Sequence, residues 1–145
     1  YLHIDLRSDN RNCVVLWWFA STARHLGIGG THTDIKTVEA QKAAMKYYRK
    51  FDRFFKRGEF YGISEEIHLH VLPEENAFMV NMFNLTDKSR IITGRFDLKR
   101  SQLDTTLLYK SSKGWAKVDN GMLEVTLDMA PWSAEVTDIK GNTQK

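Results

Sequence analysis

"EIHLHVLPEENAFMVNMFNLTDKSRIITGRFDL", residues 66 to 98, decides the fold. Three short runs, "EIHLHVLP", "AFMVNMFNL" and "RIITGRFDL", follow a period of two and are parted by the polar groups "EEN" and "TDKS". That period sends alternate side chains to opposite faces of a strand, and short polar breaks suit antiparallel turns. The same grammar continues in "TTLLYKS", "GWAKV", "MLEVTLDM" and "SAEVTDIK", with "SSKG" and "DNG" between them. Seven such runs over residues 64–140 predict an antiparallel β-sandwich.

Upstream the period changes. In residues 34–57, Val38, Met45, Tyr48, Phe51 and Phe55 recur at helical spacing, while Lys42, Lys46, Arg49, Lys50 and Arg53 fill the other face. Thr33 or Asp34 can cap this helix, and Gly58 ends it. Before it, "NCVVLWWFASTARHLGIGG" (12–30) has eight apolar residues in succession, Cys13 to Ala20, with Trp17 beside Trp18. Neighbours on a helix point about 100° apart, so a helix with this sequence needs cover on more than one side. Ser8, Asp9 and Asn10 are its capping candidates, and Gly27 is expected to stop it, with "GIGGTHT" as a flexible link. "YLHIDL" at the start alternates like a strand. The boundary between helices and sheet falls near residues 58–66. The fold class is therefore α+β: an antiparallel β-sandwich of about seven strands preceded by two α-helices. Residues 1–58 form a helical segment and residues 59–145 the sandwich domain.

Composition fits an ordinary globular domain: 145 residues, 42% hydrophobic, 27% charged, with two prolines. The net charge of +3 comes mostly from "KAAMKYYRKFDRFFKRG", where helical spacing separates bases from aromatics, so a nucleic-acid partner is not expected. The longest apolar run is too short to span a membrane, which needs about 18 residues or more. A lone Cys13 gives no internal disulfide and leaves the compartment open. Tyr1 opens a strand already in progress, so the chain is expected to be cut from something longer or cropped at a processing site.

Three stretches carry a family resemblance. "AAMKYYRKFDRFFKRGEFYGI" resembles the last helix of a (β/α)8 barrel leading into an appended domain. "AFMVNMFNLTDKSR" resembles a hairpin of that domain, and "MLEVTLDMAPWSAEVTDIK" resembles its closing strand pair. Together they resemble the C-terminal region of glycoside hydrolases similar to α-galactosidases. The resemblance implies that residues 1–58 are the remnant of the barrel and residues 59–145 the C-terminal sandwich. It also implies a non-catalytic role in which the sandwich braces the catalytic barrel and contributes to glycan binding. Glycosidases place two carboxylates roughly 5–10 Å apart, usually on different barrel strands, and this chain retains at most one or two such strands. The expected partner is then the missing N-terminal catalytic domain or a second copy of the chain. A free-standing sugar-binding or protein-interaction sandwich is the alternative.

Candidate residues follow from these readings. His3 and Asp5 share one side of "YLHIDL" and would face a barrel mouth, or else are two solvated polar residues. Trp115 and Trp132 are candidate sugar-stacking residues, since a pyranose offers an apolar C–H face to an indole. Trp17 and Trp18 are the candidate interface. His68 and His70 share a strand face, but no acidic or cysteine partner sits at a telling spacing, so neither a metal nor a cofactor is expected. Asn84-Leu85-Thr86 satisfies the glycosylation sequon.

Overall fold

The computed structural model describes residues 10–143 and the backbone of residues 2–5. The chain begins with a strand, a helix and a second strand: β1 (Leu2–Asp5), α1 (Val14–Thr22) and β2 (Leu26–Gly29). β1 and β2 pair in parallel, with His3 opposite Gly27 and Asp5 opposite Gly29. Gly27 is thus a strand residue and not a helix stop. α1 ends earlier, at Thr22, where Ala23 turns extended and leads the chain back beside β1. Ser8 and Asp9 lie outside the described residues, and the residue at the N-cap of α1 is Cys13, in the left-handed conformation.

α2 (Ile35–Lys50) starts on Asp34, whose carboxylate accepts from the Thr37 backbone N–H at 3.0 Å and from its hydroxyl at 2.8 Å. The Arg11 guanidinium, 3.0 Å away, is the main reason why that carboxyl titrates at about 2, below the usual carboxylate range. The long helix expected to reach Gly58 breaks at Phe51 and resumes as α3 (Asp52–Arg57), so the described residues hold three α-helices rather than two. The break swings Phe54 and Phe55 into the core, each 2% exposed. Gly58 then turns the chain into the sheet so tightly that a Cβ there would lie 2.4 Å from the Phe54 carbonyl oxygen.

Eight antiparallel strands follow, in two sheets. The first sheet has the order β3 (Glu59–Ser64), β4 (Ile67–Leu72), β5 (Ala77–Asn84), β10 (Ser133–Asn142), β7 (Leu108–Ser111). The second has the order β6 (Arg90–Asp97), β9 (Met122–Met129), β8 (Trp115–Asp119). The α+β sandwich expected from the sequence is the observed fold. The eighth strand is β3, in "EFYGIS", which the periodicity treats as a connection.

Two cores share the five-stranded sheet. Leu69, Val71, Phe78, Val80 and Met82 face the three-stranded sheet and meet Phe96, Leu123, Val125 and Leu127. On the opposite face Leu72, Ala77, Met79 and Phe83 meet Leu16 and Trp17 of α1, Tyr48 of α2 and Phe55 of α3. β4 and β5 are consequently buried at every position, whereas β6 and β9 keep the alternation of a sheet with one wet face.

Candidate functional site

Under α1, four polar side chains meet in an otherwise apolar layer: Ser21, His68, His70 and Asn81, each at most 4% exposed. Pairing of β4 with β5 sets His68 opposite Asn81. α1 lowers Ser21 between the two imidazoles. The Ser21 hydroxyl lies 2.9 Å from His68 Nδ1 and 3.2 Å from His70 Nε2, and it accepts from Asn81 Nδ2 at 3.0 Å.

A hydroxyl has one proton and two lone pairs. With one lone pair taken by Asn81, the remaining lone pair and the proton serve one donating and one accepting imidazole nitrogen. A second proton on the accepting ring would find no acceptor, so that histidine is held neutral. Burial pushes both pKa values down from 6.5, that of His70 to about 4 with the neighbouring His68 adding to the effect. Rings close the shell: Phe55 lies 4.9 Å from His70, Phe60 lies 5.6 Å from His68, and Trp18 also lies 5.6 Å from His68.

Serine beside histidine suggests nucleophilic catalysis, but Ser21 is 0% exposed and its hydroxyl is saturated. The adjoining cavity, bordered by Ser21, Arg24, Phe55, Phe60 and His70, measures about 90 Å³. At about 30 Å³ per water it has room for a few waters and not for a sugar ring. The cluster is a polar clamp between α1 and the sheet. Ring nitrogens committed to Ser21 are also unavailable as metal ligands, and no metal-binding group of three or more His, Cys, Asp or Glu occurs among the described residues.

The other candidates are dispersed. The side chains of His3 and Asp5 lie outside the described residues; their backbone is in β1, with Asp5 at its carboxyl end. Trp17 is 8% exposed, with Phe55 at 6.4 Å, and is therefore covered within the chain rather than open to a partner. Trp18 is partly buried against the same core, its indole N–H donating to the Glu65 carbonyl at 3.2 Å. The two neighbouring tryptophans thus find cover against one and the same core.

Trp132 is 50% exposed in the turn between β9 and β10, at a φ of 45°. Its backbone is pinned there, the N–H donating to the Thr86 carbonyl and the C=O accepting from Asn12 Nδ2. Trp115, also 50% exposed, stands on the outer face of the three-stranded sheet, level with Thr126. Asn84 of the sequon is 0% exposed, and its amide donates to the Lys88 and Ala130 carbonyls. It holds a turn and is not a glycan acceptor in the folded chain.

No protein-family model matches the sequence, nor does any curated protein. Solved structures do match. An α-amylase from Geobacillus thermoleovorans superposes with a TM-score of 0.62 at 14% identity, over 92% of this chain and 34% of its own. An Anoxybacillus α-amylase gives 0.56 at 14% identity, over 93% and 33%. The α-galactosidase from Lactobacillus brevis gives 0.53 at 12% identity, over 83% and 19%. The fold is therefore one found within glycoside hydrolases, and this chain spans a third or less of the length of most of these neighbours, 33% of the Anoxybacillus enzyme and 19% of the Lactobacillus one.

Proposed function

We propose that the chain is the non-catalytic C-terminal part of a carbohydrate-active glycoside hydrolase, in which residues 1–58 are the last two strand–helix units of a (β/α)8 barrel and the sandwich braces them. The observation that carries this reading is the order β1, α1, β2, α2 with a parallel strand pair, built onto an antiparallel sandwich. A parallel pair is seldom an independent structure: such strands are normally buried on both faces within larger sheets. Here the pair has four residues in each strand. α1 is fixed on its far side by the five-stranded sheet, so force on the barrel end passes directly into the sandwich core. The polar clamp on Ser21 specifies where along the sheet that helix sits.

The likeness to α-amylases and α-galactosidases supports a glycoside hydrolase and leaves the sugar unassigned. Two experiments test the reading. The coding sequence immediately upstream of Tyr1 is expected to supply several hundred residues of alternating strand–helix pattern; an unrelated or absent upstream reading frame contradicts it. The purified 145-residue chain is expected to show no turnover of aryl glycosides, because two carboxylates across a scissile bond need strands that it does not contain. Hydrolysis that Asp5→Asn abolishes would contradict that.

A further inference from the structure

The sequence of α2 repeats a short pattern after seven residues. Val38 is followed four positions later by Lys42, and Met45 four positions later by Arg49, so apolar and cationic side chains form two adjacent rows along one flank. Tyr47 stands on the other flank. It is about two and a half turns from Val38, and it borders a cleft with Trp17 of α1 and Val136 of β10. The flank with the two rows therefore faces away from α1. It borders a groove of about 340 Å³ with Gly30 and Thr31, at the end of β2. Among the described residues no strand pairs with the outer edge of β2. Charge also sets this flank apart. Further along, Arg53 is paired with Glu75 and Lys56 with Asp52. Lys42, Lys46 and Arg49 are exposed, stand at mutually repelling i, i+3 and i, i+4 spacings, and have no ion-pair partner among the described residues.

We propose that this groove seats an acidic helix of the polypeptide upstream of Tyr1, the helix that follows the strand pairing with the outer edge of β2. Its apolar side chains rest on Val38 and Met45, and two carboxylates seven residues apart meet Lys42 and Arg49. The inference rests on the barrel reading and gives that reading a partner surface. A strand laid parallel to β2 is followed by a right-handed crossover, which returns its helix to the face where Leu26 and Ile28 join the core of α1 and α2. Packed helices lie about 8–10 Å apart, so the added helix comes down on the free flank of α2. The chain itself leads from α2 and α3 into the sandwich, so that unit precedes β1. The two rows then select its chemistry. Cations about 10.5 Å apart along the axis, each beside an apolar residue, are matched by a parallel helix that carries carboxylates beside apolar residues at the same interval. A single strand of nucleic acid would need aromatic platforms beside the cations, and the exposed Tyr47 of α2 is on the other flank.

The full-length polypeptide is treated with a carbodiimide, which joins an amine to a carboxylate held at ion-pair distance, and the joined peptides are identified by mass spectrometry. Lys42 is expected to be joined to an Asp or Glu of the first upstream helix, and Lys36, on the Tyr47 flank, is not. Lys42→Glu together with Arg49→Glu should raise the unfolding constant of the full-length protein in urea about tenfold or more, because like charges then face each other across the contact. In the 145-residue chain alone, where the groove is open, the same pair should change it by about twofold at most. Charge reversal that acts equally on both chains overturns the proposal. So does a Lys42 link to a second copy in a mixture of light and heavy isotope-labelled protein, or no Lys42 link where the neighbouring Lys56–Asp52 pair is joined. Each of these failures leaves the barrel reading standing, since the upstream sequence decides that.

Discussion

The two sheets of the sandwich press on one shared core and differ in what lies behind them. Behind the five-stranded sheet sits α1 with α2 and α3, and β4 and β5 have no wet position. Behind the three-stranded sheet is solvent, and β6 and β9 alternate cleanly. The difference is carried by polar residues that look alike in sequence. His68, His70 and Asn81 are buried and each bonds Ser21; at the surface Thr93 bonds Thr126 and Arg95 bonds Glu124. A polar residue at every second position therefore marks one side of a strand, but not whether that side is wet.

The largest blow to the covered side comes from its centre. Phe55 stacks on Tyr48 at 4.8 Å and touches the ring shell of His70. Phe55→Ala should cost about 3–5 kcal/mol in urea unfolding, against less than about 0.5 kcal/mol for Thr126→Ala on the open side. Equal costs would erase the distinction.

Acid should separate the two sides next. His70 titrates near its ordinary 6.5 when unfolded and at about 4 when folded, so the unfolded chain binds more protons between those values. Its contribution is complete above pH 6.5 and is lost as pH falls toward 4, a drop of about 3 kcal/mol, with His68 acting in the same direction. Unfolding midpoints measured across this window should fall, and His70→Gln should flatten the profile. A midpoint that holds steady down to pH 4 would mean that the imidazoles are not buried.

Ser21→Ala is a smaller test of the same clamp. It strands two imidazole nitrogens and the Asn81 amide, and should cost about 1–3 kcal/mol, more than a methyl-for-hydroxyl change at the surface. Least of all, Trp115→Ala should move stability by less than about 0.5 kcal/mol, since a half-exposed indole carries little packing. A larger loss would make Trp115 a structural residue.

Much of this was legible in the sequence. Period-two runs mark seven of the eight sandwich strands, and the capping residue Asp34 marks the start of α2. β3 escaped because "EFYGIS" is an edge strand whose Phe60 is 49% exposed and whose glycine breaks the pattern. Gly27 read as a helix stop, although glycines in "LGIG" also suit a strand packed closely beside a parallel neighbour. The clamp was half visible: His68 and His70 announce themselves in "IHLHV", but Ser21 lies 47 positions before His68, and no local spacing connects them. Trp115 was legible as exposed chemistry, and its companions Thr126 and Thr93 follow only from register.

Hydrogen exchange read by mass spectrometry on the intact 145-residue chain tests most directly the claim that α1 belongs to the sandwich while the β1–β2 pair awaits further strands. Amides of α1 should exchange together with those of β5, and those of β1 and β2 about 100-fold faster or more. If β1 and β2 are protected as strongly as β5, the parallel pair is complete as it stands, and the barrel reading loses the observation on which it rests.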